Sequence, residues 1–327
     1  MEKVNPECRI CHNTDSKKIF TVKEKHFGTQ EEFQYFECPE CQTLQIMEIP
    51  ENIGNYYPDA YYSKITIKQH PVKLIIKKLW FKHYFDGFNF FGKMISLVFG
   101  VPSFYEWMNY LKINFNDSIL DVGSGTGIFL SELHLAGFKD LTGIDPFINE
   151  SIHVADGFQI IKGDLSDITQ QSKKYKNILF NHSLEHIPEP VEIIKTARKL
   201  QNHDSHLVIR IPVAGSYAWE KYGTDWFALD APRHFHLLSV KAMNLIASEA
   251  SYKVVDIIYD SSDIQFWGSE LFRNNIPVTE TKLGSKNPMK DFQNIVSKSK
   301  MKEFKILSKK LNQEQRGDQA IFILKAI

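Results

Sequence analysis

An α/β protein with a largely parallel sheet, headed by a small metal-stapled module, is what this sequence predicts, on three observations. From about Asn116 onward, short apolar runs alternate with helix-length amphipathic segments, the pattern of strands joined by crossover helices. One junction reads ILDVGSGTGIFL, Ile119 to Leu130, where an apolar strand runs into a turn with glycine at every second position and then into an apolar helix. All four cysteines lie in the first 41 residues, as Cys8-x-x-Cys11 and Cys38-x-x-Cys41.

The elements follow in order. Residues 1–50 form the cysteine module. Each C-x-x-C turn aims two thiolates at one point, and two turns complete a tetrahedral sulfur shell. Zinc is the expected ion. A rubredoxin-like iron centre shares the ligand set but usually carries Gly after the second Cys of each turn, where this chain has His12 and Gln42. A module this small has little core, so the metal is expected to be structural.

Residues 51–115 read as an aromatic-rich helical connector or lid, beginning with NYYPDAYYSK. Val72, Ile75, Ile76 and Leu79 recur at helical spacing, with Lys73, Lys77, Lys78 and Lys82 on the remaining arc. Followed by Phe85, Phe88, Phe90 and Phe91, this could lie on a membrane surface, but a lid packed on the next domain is the preferred reading.

The domain 116–327 begins with strand Ser118–Val122 and helix Ile128–Ala136. Strands are expected at Leu141–Ile144, Gln159–Ile161, Asn177–Asn181, His206–Ile211, Lys253–Tyr259 and Gln319–Leu324, and helices at Val191–Leu200 and Ser239–Glu249. The lysine-rich segment 282–313 reads as a solvated helix.

Composition narrows the function classes. Lys plus Arg and Asp plus Glu are both 39, so no global field points to nucleic acid. The N-terminus lacks the apolar core of a signal peptide and no apolar run nears the roughly 20 residues of a membrane span, so a cytoplasmic protein is expected.

The turn glycines are Gly123, Gly125 and Gly127. The third position of a dinucleotide fingerprint would fall on Ile128, and a P-loop's Lys-Ser/Thr is missing. The text LDVGSGTG, then LTGIDP, KGDLSDI, YKNILFNHSLEHIPEPVEIIKTARKL and HLVIRIP, resembles in order the motifs of class I S-adenosylmethionine-dependent methyltransferases. That resemblance covers roughly residues 116–260 and implies a Rossmann-like seven-stranded sheet with helices on both faces. It implies that the turn, with Ser124, wraps the amino-acid end and ribose of the cofactor, and that Asp145 accepts the ribose hydroxyls. Asp164, with Leu165 after it, would meet the adenine, although Asp164 also suits a plain turn-former. Asp121 would hold the turn or contact the methionine ammonium, and Asn181 and His182 would face the methionine end. A four-cysteine module ahead of such a core also resembles methyltransferases of nucleotide-linked sugars and bacterial glycans. This implies a small polar acceptor of the sugar class, with O-methylation favoured over C-methylation and no nucleic-acid partner.

An alcohol acceptor needs a base, and two histidine clusters offer one: His182 and His186 in NHSLEHIPEP, and His234 and His236 in DAPRHFHLLS. The second lies near Tyr217, Trp219, Tyr222, Trp226 and Phe227, expected to floor an acceptor pocket. Two other readings stay open for the first cluster and the whole chain. His182, Glu185, His186 and His236 could hold a divalent cation. The chain could also methylate a quinone-like or lipid-linked ring at a membrane, or be a non-catalytic binding module.

Overall fold

The structure, a computed structural model, describes residues 6–15, 17–57, 71–85, 87, 89–102, 104–170, 172–278 and 296–327. The tyrosine-rich text from Pro58 to Lys64, Phe88 and the lysine-rich run up to residue 295 lie outside them.

Strands β1 (Lys18–Lys23), β2 (Glu32–Glu37) and β3 (Leu44–Ile46) form an antiparallel meander. Helices α1 (Pro71–Phe85), α2 (Phe90–Phe99) and α3 (Tyr105–Tyr110) follow. The α1–α2 pair closes tightly because residue 92 is glycine: a Cβ there would stand 2.3 Å from the Leu79 carbonyl oxygen. The expected apolar stripe of α1 is not what it buries. Val72 and Ile75 are exposed, and α1 packs through Phe81, which joins Phe104, Trp107 and Met108 against the domain that follows.

That domain holds β4 (Ser118–Val122), α4 (Ile128–Ala136), β5 (Asp140–Asp145), β6 (Ile152–Ala155), β7 (Phe158–Lys162), β8 (Asn177–Asn181), α5 (Pro190–Lys199) and β9 (His206–Pro212). After these come α6 (Tyr217–Tyr222), β10 (His236–Leu237), α7 (Val240–Glu249), β11 (Tyr252–Tyr259), α8 (Ile264–Arg273), α9 (Lys298–Gln313) and β12 (Gln319–Ala326). All but β10 of the strands from β4 onward build one sheet in the order β11-β12-β9-β8-β4-β5-β7-β6. The five inner strands from β9 to β7 are parallel, while β12, β11 and β6 are antiparallel to their neighbours. The sheet therefore has eight strands where seven are expected. The addition is β6, a short edge strand folded onto β7 through Gly157, whose φ is 76°.

Residues alternate between the two faces of this sheet. On β9, Leu207, Ile209 and Ile211 enter one core with Ile194 of α5 and Ile246 of α7, while Val208 enters the other with Leu130 and Leu133 of α4. The cysteine module is not closed on itself. Its fourth strand is β10, which pairs His236 with Gln45 and Leu237 with Leu44. Cys8, Ile10, Phe36, Cys38 and Cys41 belong to the same core as β9 and α5. No helix among the described residues is long and apolar enough to cross a membrane.

Candidate active site

The chain enters the sheet at β4, builds outward through β5 and β7, then returns to place β8 on the other side of β4. Such a reversal of strand order opens a crevice beyond the carboxyl ends of the strands, where ligands of open α/β sheets bind. In this register Val122 pairs with both Ile144 and Phe180, so the residues after β4, β5 and β8 emerge side by side.

The glycine turn fills that crevice. Gly123, Gly125 and Gly127 all have positive φ, at 76°, 54° and 77°. A Cβ on Gly123 would meet Ser183 Cβ at 2.4 Å, and one on Gly127 would meet Ile160 Cδ1 at 2.1 Å. Gly123 and Gly127 are therefore glycine for packing. A Cβ on Gly125 would meet nothing within 4 Å, so that glycine borders open space. Ser124, between them, donates its amide to the Ile144 carbonyl. Asp145 fixes the turn: Oδ2 accepts the Gly125 amide and Oδ1 that of Phe147, both at 2.8 Å. Beneath it, Asp121 is 3% exposed and its Oδ1 has no hydrogen-bond partner. Burial, reinforced by the Asp145 charge, pushes its carboxyl up to about 8. Asp164 caps the short 3₁₀ turn Leu165–Ile168 in a reciprocal capping box with Asp167, and Leu165 is buried.

Beyond β8, Asn181 and His182 face Arg210 of β9. The guanidinium reaches Asn181 Oδ1 at 3.4 Å and His182 Nε2 at 3.0 Å, and its Nε bonds Asp260 at 2.6 Å. His182 takes a positive φ of 54° and turns Nδ1 to within 3.5 Å of Glu185. A cavity of about 380 Å³ opens here, lined by His182, Glu185, His186, Phe227, His234 and Asp318 among others.

Two of its histidines have legible tautomers. His186 Nδ1 lies 2.9 Å from the Arg233 carbonyl oxygen and 3.0 Å from Tyr57 Oη. His234 Nδ1 lies 2.7 Å from the Ala228 carbonyl oxygen. A carbonyl only accepts, so both Nδ1 atoms carry a proton, and in the neutral ring the lone pair is on Nε2; that of His234 lies 3.9 Å from Asp230 Oδ2. The rings stand 4.7 Å apart, centre to centre. Burial and the neighbouring His234 push His186 down to about 4. Glu185 is 1% exposed with neither carboxylate oxygen hydrogen-bonded. Burial raises its carboxyl, but the nearby His182, His186 and His234 outweigh this and hold it down at about 2.

His236 stands apart. It is fully buried, donates Nε2–H to the Leu184 carbonyl at 3.2 Å, and does not line the cavity. Of the expected aromatic floor, Phe227 reaches the cavity, while Trp226 is core and bonds Asp318. A buried network unforeseen in the sequence holds the loop instead. Arg233, fully buried, pairs with Asp230 and with Glu24 of the cysteine module at 3.2 Å. His26 of the module lies 3.5 Å from Asp230. The available signal was Asp230 three residues before Arg233, since a carboxylate so near can pair with an arginine that the loop buries.

The four cysteine sulfurs lie within 4.8 Å of one another, with Cys8–Cys41 at 3.5 Å and Cys11–Cys38 at 3.6 Å. His12 and Gln42, where rubredoxin turns carry glycine, adopt φ of 56° and 60°.

Residues 104–257 match the family described as "Methyltransferase domain". This part of the chain is a methyltransferase domain. The EEF1A lysine methyltransferase 2 of Danio rerio is 32% identical over 117 residues, covering 32% of this chain and 50% of that protein. Its Homo sapiens counterpart is 35% identical over 103 residues, covering 31% of this chain and 43% of that protein. The chain thus spans about half the length, or less, of these curated relatives. A SAM dependent methyltransferase from Archaeoglobus fulgidus aligns at 20% identity over 75% of this chain and 97% of its own, with a TM-score of 0.43.

The methyltransferase domain fits S-adenosylmethionine on its own features. The open side of Gly125 leaves room against the backbone, and the orphaned Asp121 Oδ1 is an acceptor suited to an ammonium. The cysteine cluster fits zinc: four sulfurs, a closed shell, and Gln45 Nε2 donating to Cys8 Sγ at 2.9 Å as an outer partner.

Proposed function

We propose that the protein transfers the methyl group of S-adenosylmethionine to a hydroxyl of a small polar acceptor of the sugar class, seated in the histidine-lined cavity beside the glycine turn. The observation that carries this reading is the pair of Nε2 lone pairs on His186 and His234, each fixed by an Nδ1–H bond to a backbone carbonyl, on the wall of that cavity. When bound, the cofactor supplies an electrophilic methyl carbon on a sulfonium. Gly125, Asp145, Asp121 and Asp164 with Leu165 would hold it, with Asn181 and His182 at its methionine end. An acceptor hydroxyl seated in line with that methyl would give its proton to the Nε2 of a neutral imidazole, the methyl–sulfur bond being the one that breaks. Glu185, buried beside both rings, stabilises the imidazolium that forms. Cys8, Cys11, Cys38 and Cys41 would hold a structural zinc away from this chemistry.

The test is turnover against a panel of sugars, nucleotide-sugars and lysine-bearing proteins. His186→Ala and His234→Ala should each cut turnover by about 10²–10⁴ with cofactor affinity retained. Because the curated relatives are named for a lysine acceptor, methylation of a protein lysine and of none of the sugars would overturn the hydroxyl reading.

One observation favours a second reading. Glu185, His186 and His234 place ligand atoms within 4.8 Å of one another, and histidines that donate Nδ1–H to carbonyls are poised as metal ligands. A divalent cation there would bind and orient acceptor hydroxyls in place of a base. This set replaces His182 and His236 of the sequence reading with His234. Loss of activity with chelator and recovery with magnesium or manganese would establish it.

A further inference from the structure

We propose that α2, backed by α1, is a membrane-contact element that seats the protein on an anionic lipid surface. Helix α2 reads FFGKMISLVF, and its single buried residue is Gly92, the point where it meets α1. Around the helix axis, Phe90, Phe91, Met94, Leu97 and Val98 occupy a continuous arc of about 120° directed away from that contact. All five are exposed, Leu97 at 74% and Val98 at 79%. Scattered apolar residues on a surface are ordinary, but five on one helical face form a contiguous patch of the kind that marks an interface.

The net charge of the two helices selects the occupant of the patch. Residues 71–102 contain five lysines (73, 77, 78, 82 and 93) against one acid, Asp86. Lys77 is paired with Glu132, and Lys78 is exposed. A second copy docking on this face through a twofold axis would press one lysine rim against another. An anionic bilayer is complementary to both parts, the apolar arc entering the acyl boundary and the lysines meeting headgroups. At ten residues α2 is about 15 Å long, too short to span the hydrocarbon core, so it lies in the interface.

The experiment is co-sedimentation of the full chain with vesicles of phosphatidylcholine alone or with phosphatidylserine at roughly one lipid in four. The protein should pellet with the anionic vesicles and be released as salt rises. The triple variant Phe91→Ser, Leu97→Ser, Val98→Ser should lower partitioning at least about tenfold with an unchanged melting temperature. Because these side chains are exposed, folding should survive. Lys78→Glu with Lys93→Glu gives an independent arm, weakening anionic binding and leaving the apolar arc whole. The inference is overturned if neither vesicle pellets the protein, or if the triple variant pellets like the parent. It is also overturned if the parent is a dimer that the triple variant turns into monomer.

Discussion

Replacing Asp121 by asparagine should strengthen the fold and weaken the cofactor site, with a pH signature fixed by burial. The Asp121 carboxyl is pushed from an ordinary 3.8 to about 8 by burial and by Asp145 beside it. The folded state thus keeps a proton that the unfolded chain releases across this interval. Its stability is unaffected below about pH 4, falls as pH rises, and levels off above about pH 8. Four units at 1.36 kcal/mol each bound the penalty at about 5 kcal/mol above pH 8, against about 1–2 kcal/mol at pH 5. Asparagine never ionises, so denaturant unfolding of parent and variant should show a stability gap that widens from pH 5 to pH 9 in favour of the variant. Calorimetry should show the opposite sign for S-adenosylmethionine, a loss of about tenfold to a hundredfold, because its ammonium would draw off the Asp121 proton and pair with a carboxylate that asparagine cannot supply. A gap independent of pH would refute the buried-carboxyl argument. Undiminished affinity would refute the role given to the orphaned oxygen.

Asp145→Ala, which removes the carboxylate that the Gly125 and Phe147 amides share, should weaken cofactor binding by about 1.5–3 kcal/mol; unchanged affinity in calorimetry would refute the cofactor role given to Asp145. Glu24→Gln takes a counter-charge from Arg233, which is fully buried, and should destabilise the fold by about 3–5 kcal/mol in denaturant unfolding while lowering turnover more than cofactor affinity. Metal analysis should find about one equivalent of zinc, and Cys38→Ser should lose it and lower the melting temperature.

The parallel core was legible because its strands are short apolar runs bounded by turn signals, and β4 and β8 fall where the pattern puts them, Ser118–Val122 and Asn177–Asn181. The strand β6 was not, because IHVA is short and half-exposed, with no alternation to mark a face. Helix α1 misled for a different reason. Val72, Ile75 and Leu79 have helical spacing, but a spacing only says that apolar residues share a face, not whether anything covers it. Phe81, two residues on, is what the domain buries. In the site, the glycine turn carries its own signal, but which glycines are structural does not. That Gly123 and Gly127 clear Ser183 and Ile160 while Gly125 borders open space depends on segments some 35 to 60 residues away. The histidines were legible as candidates and not as partners. Alternation in RHFHLL gives His234 and His236 the same parity, yet the chain bends between them: His234 turns Nδ1 to Ala228, while His236 enters β10 and turns inward to Leu184.

The same bend explains why a cysteine module precedes this domain. Tyr35 donates its hydroxyl to the His234 carbonyl at 2.8 Å, and the Ile46 amide bonds the Phe235 carbonyl at 2.9 Å. Ser239, the cap of α7, donates to the Cys41 carbonyl, and Glu24 pairs with Arg233. Every one of these bonds runs from the module to the segment between Arg233 and Ser239, which carries His234, one of the two histidines that line the cavity with Nδ1 tied to a carbonyl. A two-residue strand such as β10 has no stability of its own. It is ordered because β3 offers a fully buried edge, and β3 leads out of the Cys38–Cys41 turn. The cysteine cluster and the proposed acceptor site are therefore mechanically one unit, although their residues are some 200 positions apart in sequence. Zinc removed from the cysteines would act on His234 through the loosened strand, not through the sulfur shell itself.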